Sequence, residues 1–121
     1  MIIRKGTAMD MKGVLALIKE LAIFEKEPEA VVITEEDLIR DGFGENPLFS
    51  VFVAEKEQEI VGIALYYYRY STWKGKTIHL EDLVVKESMR GTGLGSALYS
   101  AIIEQGKIDG VRRIEWNVLD W

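Results

Sequence analysis

Residues 77–107 read TIHLEDLVVKESMRGTGLGSALYSAIIEQGK. The first nine alternate and end in an apolar run, which is the mark of a strand. The last fourteen place Leu94, Ala97, Leu98, Ala101 and Ile102 on one stripe at helical spacing, ending at Gly106 or at Asp109-Gly110. Between them lies MRGTGLG, with glycines at 91, 93 and 95 behind Arg90. Each glycine costs conformational entropy on folding, so three at alternate positions need a reason. A strand–loop–helix junction with bare backbone at the helix entrance is a natural anion site. The helix dipole puts about half a positive charge there, successive N–H groups can converge, and Arg90 adds a forked donor. Such a turn suits a pyrophosphate. The plainer alternative, a tight turn and nothing more, would win for a lone G-x-G.

Two nucleotide motifs fail nearby. A dinucleotide fingerprint needs G-x-G-x-x-G in the first βαβ unit, and this loop has the wrong spacing and comes late. Gly75-Lys76-Thr77 is no phosphate loop, because Tyr70 stands where the earlier glycine belongs and a strand follows instead of a helix.

Outward from this junction the chain reads β-α-α-β-β-β-α-β. Met1–Lys5 is a short strand. Thr7 and Asp10 form an acidic capping box before a helix whose stripe is Val14, Leu15, Leu17, Ile18, Leu21 and Ala22, fraying at Glu25–Pro28. Thr34 with Asp37 starts a second helix that should stop at Gly42. LFSVFVAE (48–55) and EIVGIALYYYRY (59–70) form a hairpin about the polar KEQE turn, and RRIEWNVLDW (112–121) is the last strand. Hairpins followed by a helical crossover to a parallel strand imply an α/β (α+β) layer fold with a mixed sheet.

The 121 residues suit one domain spanning 1–121, and 48% apolar with 29% charged residues is a globular composition. A net charge of −5 argues against a nucleic-acid partner. The longest apolar runs are too short for a membrane span, and no signal-peptide core is present. The absence of cysteine excludes disulfides and thiolate metal sites and fits a cytoplasmic protein.

With LIKELAIFEKE (17–27), DGFGENP (41–47), YYYRYSTWKGKTIHLED (66–82) and RGTGLGS (90–96), the sequence resembles the Gcn5-related N-acetyltransferase superfamily. Within it, the chain is similar to the diamine acetyltransferases, the spermidine/spermine and thialysine enzymes, with YSTWKG nearer the thialysine type. The resemblance implies the acyl-CoA N-acyltransferase fold, a mixed, mainly antiparallel sheet with helices on both faces, with acetyl-CoA as cosubstrate and a small-molecule amine as acceptor; a protein lysine or a non-catalytic module are the alternatives. It implies that the backbone of Leu83, Val84 and Val85 pairs with the pantetheine arm, that an N–H near Leu83 polarises the thioester carbonyl, and that Arg90, Gly91, Thr92, Gly93, Leu94, Gly95 and Ser96 hold the pyrophosphate. It places Phe24, Glu25 and Ser71 on the amine side.

An alkylammonium must lose a proton before attack, which costs roughly 4–5 kcal/mol at pH 7. Glu81 is the candidate base or amine ligand, with a structural salt bridge as the rival reading. Regular alternation places Glu81 on the face of His79 and Leu83 and Asp82 on the other, as a structural residue. His79, the sole histidine, reads as pocket wall, and no metal is expected. Relatives of this kind continue past the equivalent of Trp121 with a further helix, strands and a tyrosine acid. The chain therefore reads as truncated, with Ile114, Trp116 and Val118 on an open edge that invites a homodimer. Tyr99 reads as packing.

Overall fold

A five-stranded sheet forms the middle layer of the computed structural model, which describes residues 1–116. The strands β1 (Ile2–Lys5), β2 (Ser50–Lys56), β3 (Glu59–Ser71) and β4 (Gly75–Val85) are antiparallel neighbours in chain order, and β5 (Ile114–Trp116) lies parallel to β4. Helices α1 (Met11–Phe24) and α2 (Glu35–Phe43) pack on one face, and α3 (Leu94–Asp109) on the other. Element order and layering are those expected. Residues 117–121, and with them the expectation for Val118, lie outside the described residues.

Local chemistry explains the boundaries. Thr34 N–H donates to Asp37 Oδ2 (2.9 Å) and Asp37 N–H donates to Thr34 Oγ1 (3.1 Å), so each caps the other at the start of α2. That helix runs one residue past Gly42. The Phe49 ring lies so close over Gly42 that a Cβ there would be 2.4 Å from it, and the glycine serves packing rather than termination. Glu57 and Gln58 both take positive φ (52° and 67°), the backbone of a two-residue hairpin between β2 and β3.

Two cores flank the sheet. On the α1 side, Met11, Val14 and Leu17 meet Val51, Val53, Ile63 and Val84. On the α3 side, Leu94, Leu98 and Ile102 meet Ala64, Tyr66, Ile78 and Leu80. Truncating a fully buried leucine such as Leu98 to alanine would cost about 2–5 kcal/mol. Ile114 packs on the α3-side core, while Trp116 stays 39% exposed and stacks on Tyr99 at 5.3 Å. Tyr99 is thus a packing residue, as expected.

The ladder between β3 and β4 contains the departure that matters. Tyr66 faces Leu80 and Leu65 faces Asp82, leaving Glu81 as an extra residue in β4. Before the bulge Leu80 points to the α3-side core; after it Leu83 does too, and Val84 points to the α1 side. Asp82 is therefore opposite Leu65, a residue of the α1-side core. The expected alternation is corrected here. Glu81 does share a face with His79, but Leu83 has crossed to the other face, and Asp82 has come round beside Glu81. A bulge sets two successive side chains against one partner residue, so neighbouring carboxylates project together.

Candidate active site

The junction quoted first forms an open cradle. Beyond β4 the Lys86 N–H donates to Val61 O (2.8 Å), one 3-10 turn covers Glu87–Met89, and the chain extends at Arg90. Gly91 and Gly93 take φ of +78° and +84°, and a Cβ on either would meet nothing within 4 Å. Both positions thus need glycine for backbone reasons and leave free space above the backbone. Gly93 is the N-cap of α3, and no side chain caps the helix. The first-turn N–H groups are therefore open to an anion. Thr92 Oγ1 donates to Met89 O (2.6 Å) and braces the turn. The Leu94 side chain is buried in the core, Gly95 rests at ordinary distance from Val85, and Ser96 is exposed. An uncapped helix entrance with no side chain in the way fits the diphosphate of a coenzyme.

Leu83, Val84 and Val85 pair with Ala64, Ile63 and Gly62 of β3. On their other edge β5 runs only along Ile78–Leu80, so among the described residues no strand lies beside Leu83–Val85.

The wall beside the cradle is acidic. Glu81 is half exposed, and its Oε1 accepts from the Tyr67 hydroxyl at 3.0 Å and lies 3.5 Å from His79 Nε2. Asp82 is half-buried; that burial, followed by the nearby charges of Glu81 and Glu25, pushes its carboxyl up to about 6. Burial, reinforced by the bond to Glu81, also raises the Tyr67 phenol. Glu25 follows the last residue of α1, where the helix dipole offers no relief to a carboxylate.

The cradle and the wall meet at Phe24. The Arg90 guanidinium sits 4.9 Å from the centroid of that ring, tying the end of α1 to the glycine turn. Arg90, Phe24, Glu25 and Glu81 are thus brought to one end of the sheet. Ser71 is not. Its hydroxyl accepts the N–H groups of Trp73 and Lys74 (3.2 and 3.0 Å), and it pairs with Gly75, roughly 20 Å along β4 from Glu81 at strand spacing. Sequence reasoning missed Asp82 and Tyr67 as members of the wall. A bulge leaves no compositional mark, so only the register reveals them. Among the described residues no group of three or more His, Cys, Asp or Glu side chains is placed to hold a metal, and no helix is long and apolar enough to cross a membrane.

An uncapped helix entrance at a strand–helix junction stands beside an acidic wall in a mixed α+β fold, a setting that suits a coenzyme-dependent transferase. The chain belongs to the Acetyltransferase (GNAT) family, whose model matches residues 15–121. It is 42% identical over 127 residues to the thialysine N-epsilon-acetyltransferase of Bos taurus, covering 98% of this chain and 75% of that protein. It is also 42% identical over 103 residues to the spermidine/spermine N(1)-acetyltransferase-like protein 1 of Homo sapiens, covering 79% of this chain and 15% of that one. The fold is shared with an aminoglycoside N-acetyltransferase solved in complex with CoA (TM-score 0.69, 20% identity, 98% of this chain and 79% of that one).

Proposed function

We propose that the chain is an acetyl-CoA-dependent N-acetyltransferase acting on a primary amine of a small molecule, of the diamine, polyamine or thialysine kind. One observation carries the reading: the β4 bulge sets Glu81 and Asp82 together beside Glu25, and Phe24 and Arg90 join that wall to the glycine turn. The named relatives act on thialysine or are like the spermidine/spermine enzyme, which supports an acceptor that is cationic in solution. When bound, acetyl-CoA supplies an acetyl group activated as a thioester.

The chain's own residues do the rest. The N–H groups from Gly91 to Ser96 and the Arg90 guanidinium hold the diphosphate, and the backbone of Leu83, Val84 and Val85 aligns the pantetheine arm. An N–H near Leu83 is the donor to the carbonyl on which negative charge develops. Glu25 and Asp82 draw the ammonium in, and Glu81 takes its proton, directly or through water. A homodimer belongs to the same reading, and light scattering of the purified chain tests it.

The decisive experiment is calorimetric titration with acetyl-CoA followed by an acceptor panel of thialysine, diamines and lysine-containing peptides. Micromolar coenzyme binding with acetylation of the free amines is expected. Preference for peptide lysines would move the acceptor to protein, and coenzyme binding without turnover on any amine would leave a binding module.

A further inference from the structure

Behind Glu81 lies a chain of polar side chains that the reaction as described does not use. His79 is 5% exposed, with its ring against that of Tyr67 at 5.1 Å. Its Nδ1 lies 3.3 Å from Arg69 Nη1, and its Nε2 lies 3.5 Å from Glu81 Oε1. Arg69 is placed in turn by Glu115 at 3.6 Å, and Glu115 also meets Arg113 at 3.4 Å.

The partners decide where the imidazole proton sits. A guanidinium has five N–H donors and no acceptor, so the contact with Arg69 requires a lone pair on Nδ1. The neutral ring then carries its proton on Nε2, the nitrogen that faces the carboxylate. At 3.5 Å this approach is longer than a formed hydrogen bond, as catalytic contacts are in many ligand-free sites before they close. Both donors, the Tyr67 hydroxyl and His79 Nε2–H, address the same oxygen, Oε1.

We propose that His79 is a positioning residue for Glu81, fixed as the Nε2–H tautomer by Arg69, so that Oε1 is held and Oε2 is left for the acceptor. The proposal rests on the reading of Glu81 as the base. In that step the ammonium N–H bond breaks, its electron pair stays on nitrogen as a free lone pair, and the proton forms an O–H bond at Glu81 Oε2. His79 gives up no proton; it keeps the carboxylate from turning.

Because His79 is the sole histidine, ring-¹⁵N labelling of the whole chain reports this one imidazole without assignment. The Nε2–H pattern is expected at pH 8, with the minor tautomer growing in Arg69→Met. In kinetics with acetyl-CoA and the best small amine, His79→Phe keeps a ring against Tyr67 but no N–H. It should lower kcat about 100-fold, the order of effect of a misplaced catalytic group, with KM for acetyl-CoA within about two-fold. His79→Gln, whose amide can donate to Oε1, should recover most of the loss. The double variant His79→Phe/Glu81→Gln should be no slower than Glu81→Gln alone, because His79 acts through Glu81. A dominant Nδ1–H tautomer, equal losses in the Phe and Gln variants, or losses that multiply with Glu81→Gln would each overturn the proposal. Full activity of Glu81→Gln would instead remove the base assignment itself, whereas the tautomer is read without any turnover.

Discussion

The two ends of α1 carry acidic groups under opposite conditions. At its start Asp10 receives both Arg4 Nη atoms (2.7 and 2.9 Å) and the Thr7 N–H (2.7 Å), and Arg4 also reaches Glu55 at 2.7 Å. The Arg4 bonds, followed by those from Thr7, hold the Asp10 carboxyl down to about 2, and the bonds to Asp10 and Glu55 raise Arg4. At its finish Glu25 and Glu81 both act on the Asp82 carboxyl, and no basic residue stands in the last turn of the helix. One corner is an ion-pair clamp near a helix N-terminus, where dipole and charge agree. The other gathers like charges where dipole and burial disfavour them. Opposite charges pair at one corner, and like charges gather at the other.

Four experiments break or sharpen that contrast. The largest effect belongs to Glu81→Gln, which should cut kcat by about 10²- to 10⁴-fold while leaving the thermal midpoint nearly unmoved. A large loss of stability together with activity would make Glu81 a structural partner of Tyr67 and His79. Next, Gly93→Val should reduce acetyl-CoA affinity at least about 100-fold, because a side chain enters the cradle. Its left-handed backbone should also cost roughly 1–2 kcal/mol of stability. Gly110→Val is the control. That residue has φ +70° and equally open surroundings at the far end of α3, so it should lose similar stability with coenzyme affinity unchanged.

Third, Asp10→Asn should destabilise by about 2 kcal/mol at pH 6. The sign follows from a lowered carboxyl. Its contribution is complete above the unfolded value of 3.8 and disappears as pH falls through about 2, so the variant's deficit should vanish there. Denaturant titrations across this range check it. Smallest, Asp82→Asn should stabilise the fold by roughly 1–2 kcal/mol at pH 8 while weakening capture of the amine. A raised carboxyl costs stability above about 6 and ceases to do so below 3.8, so the gain should fade over that interval. Destabilisation at pH 8 would refute the picture of strain at this wall.

What the sequence made legible were features written in neighbouring residues. Thr34 and Asp37 cap one helix, KEQE turns one hairpin, and Arg90 with the alternate glycines opens one cradle. Each is a local pattern with a local cause. The acidic wall was only half legible. Glu81 could be picked out as a carboxylate on the strand before the glycines, but alternation sent Asp82 to the wrong face because no residue type announces a bulge. Nor could spacing show that Tyr67, fourteen positions away, donates to Glu81, or that Phe24 lies under Arg90, since both contacts exist only once β3 and α1 are docked. Ser71 stands apart from these residues. Its hydroxyl is engaged by its own turn, far along the strand from the carboxylates.

The bulge has a consequence for how such a site can arise. Leu80 and Asp82 hold the phases they would hold in an unbroken ladder, with Tyr66 and Leu65 opposite them. Glu81 is therefore equivalent to a one-residue insertion in a regular hairpin. Removing it would shift no core side chain to the wrong face, and adding it shifts none either. A lineage could gain or lose this carboxylate in a single codon event while both cores stay in register, so the wall and the scaffold can change independently.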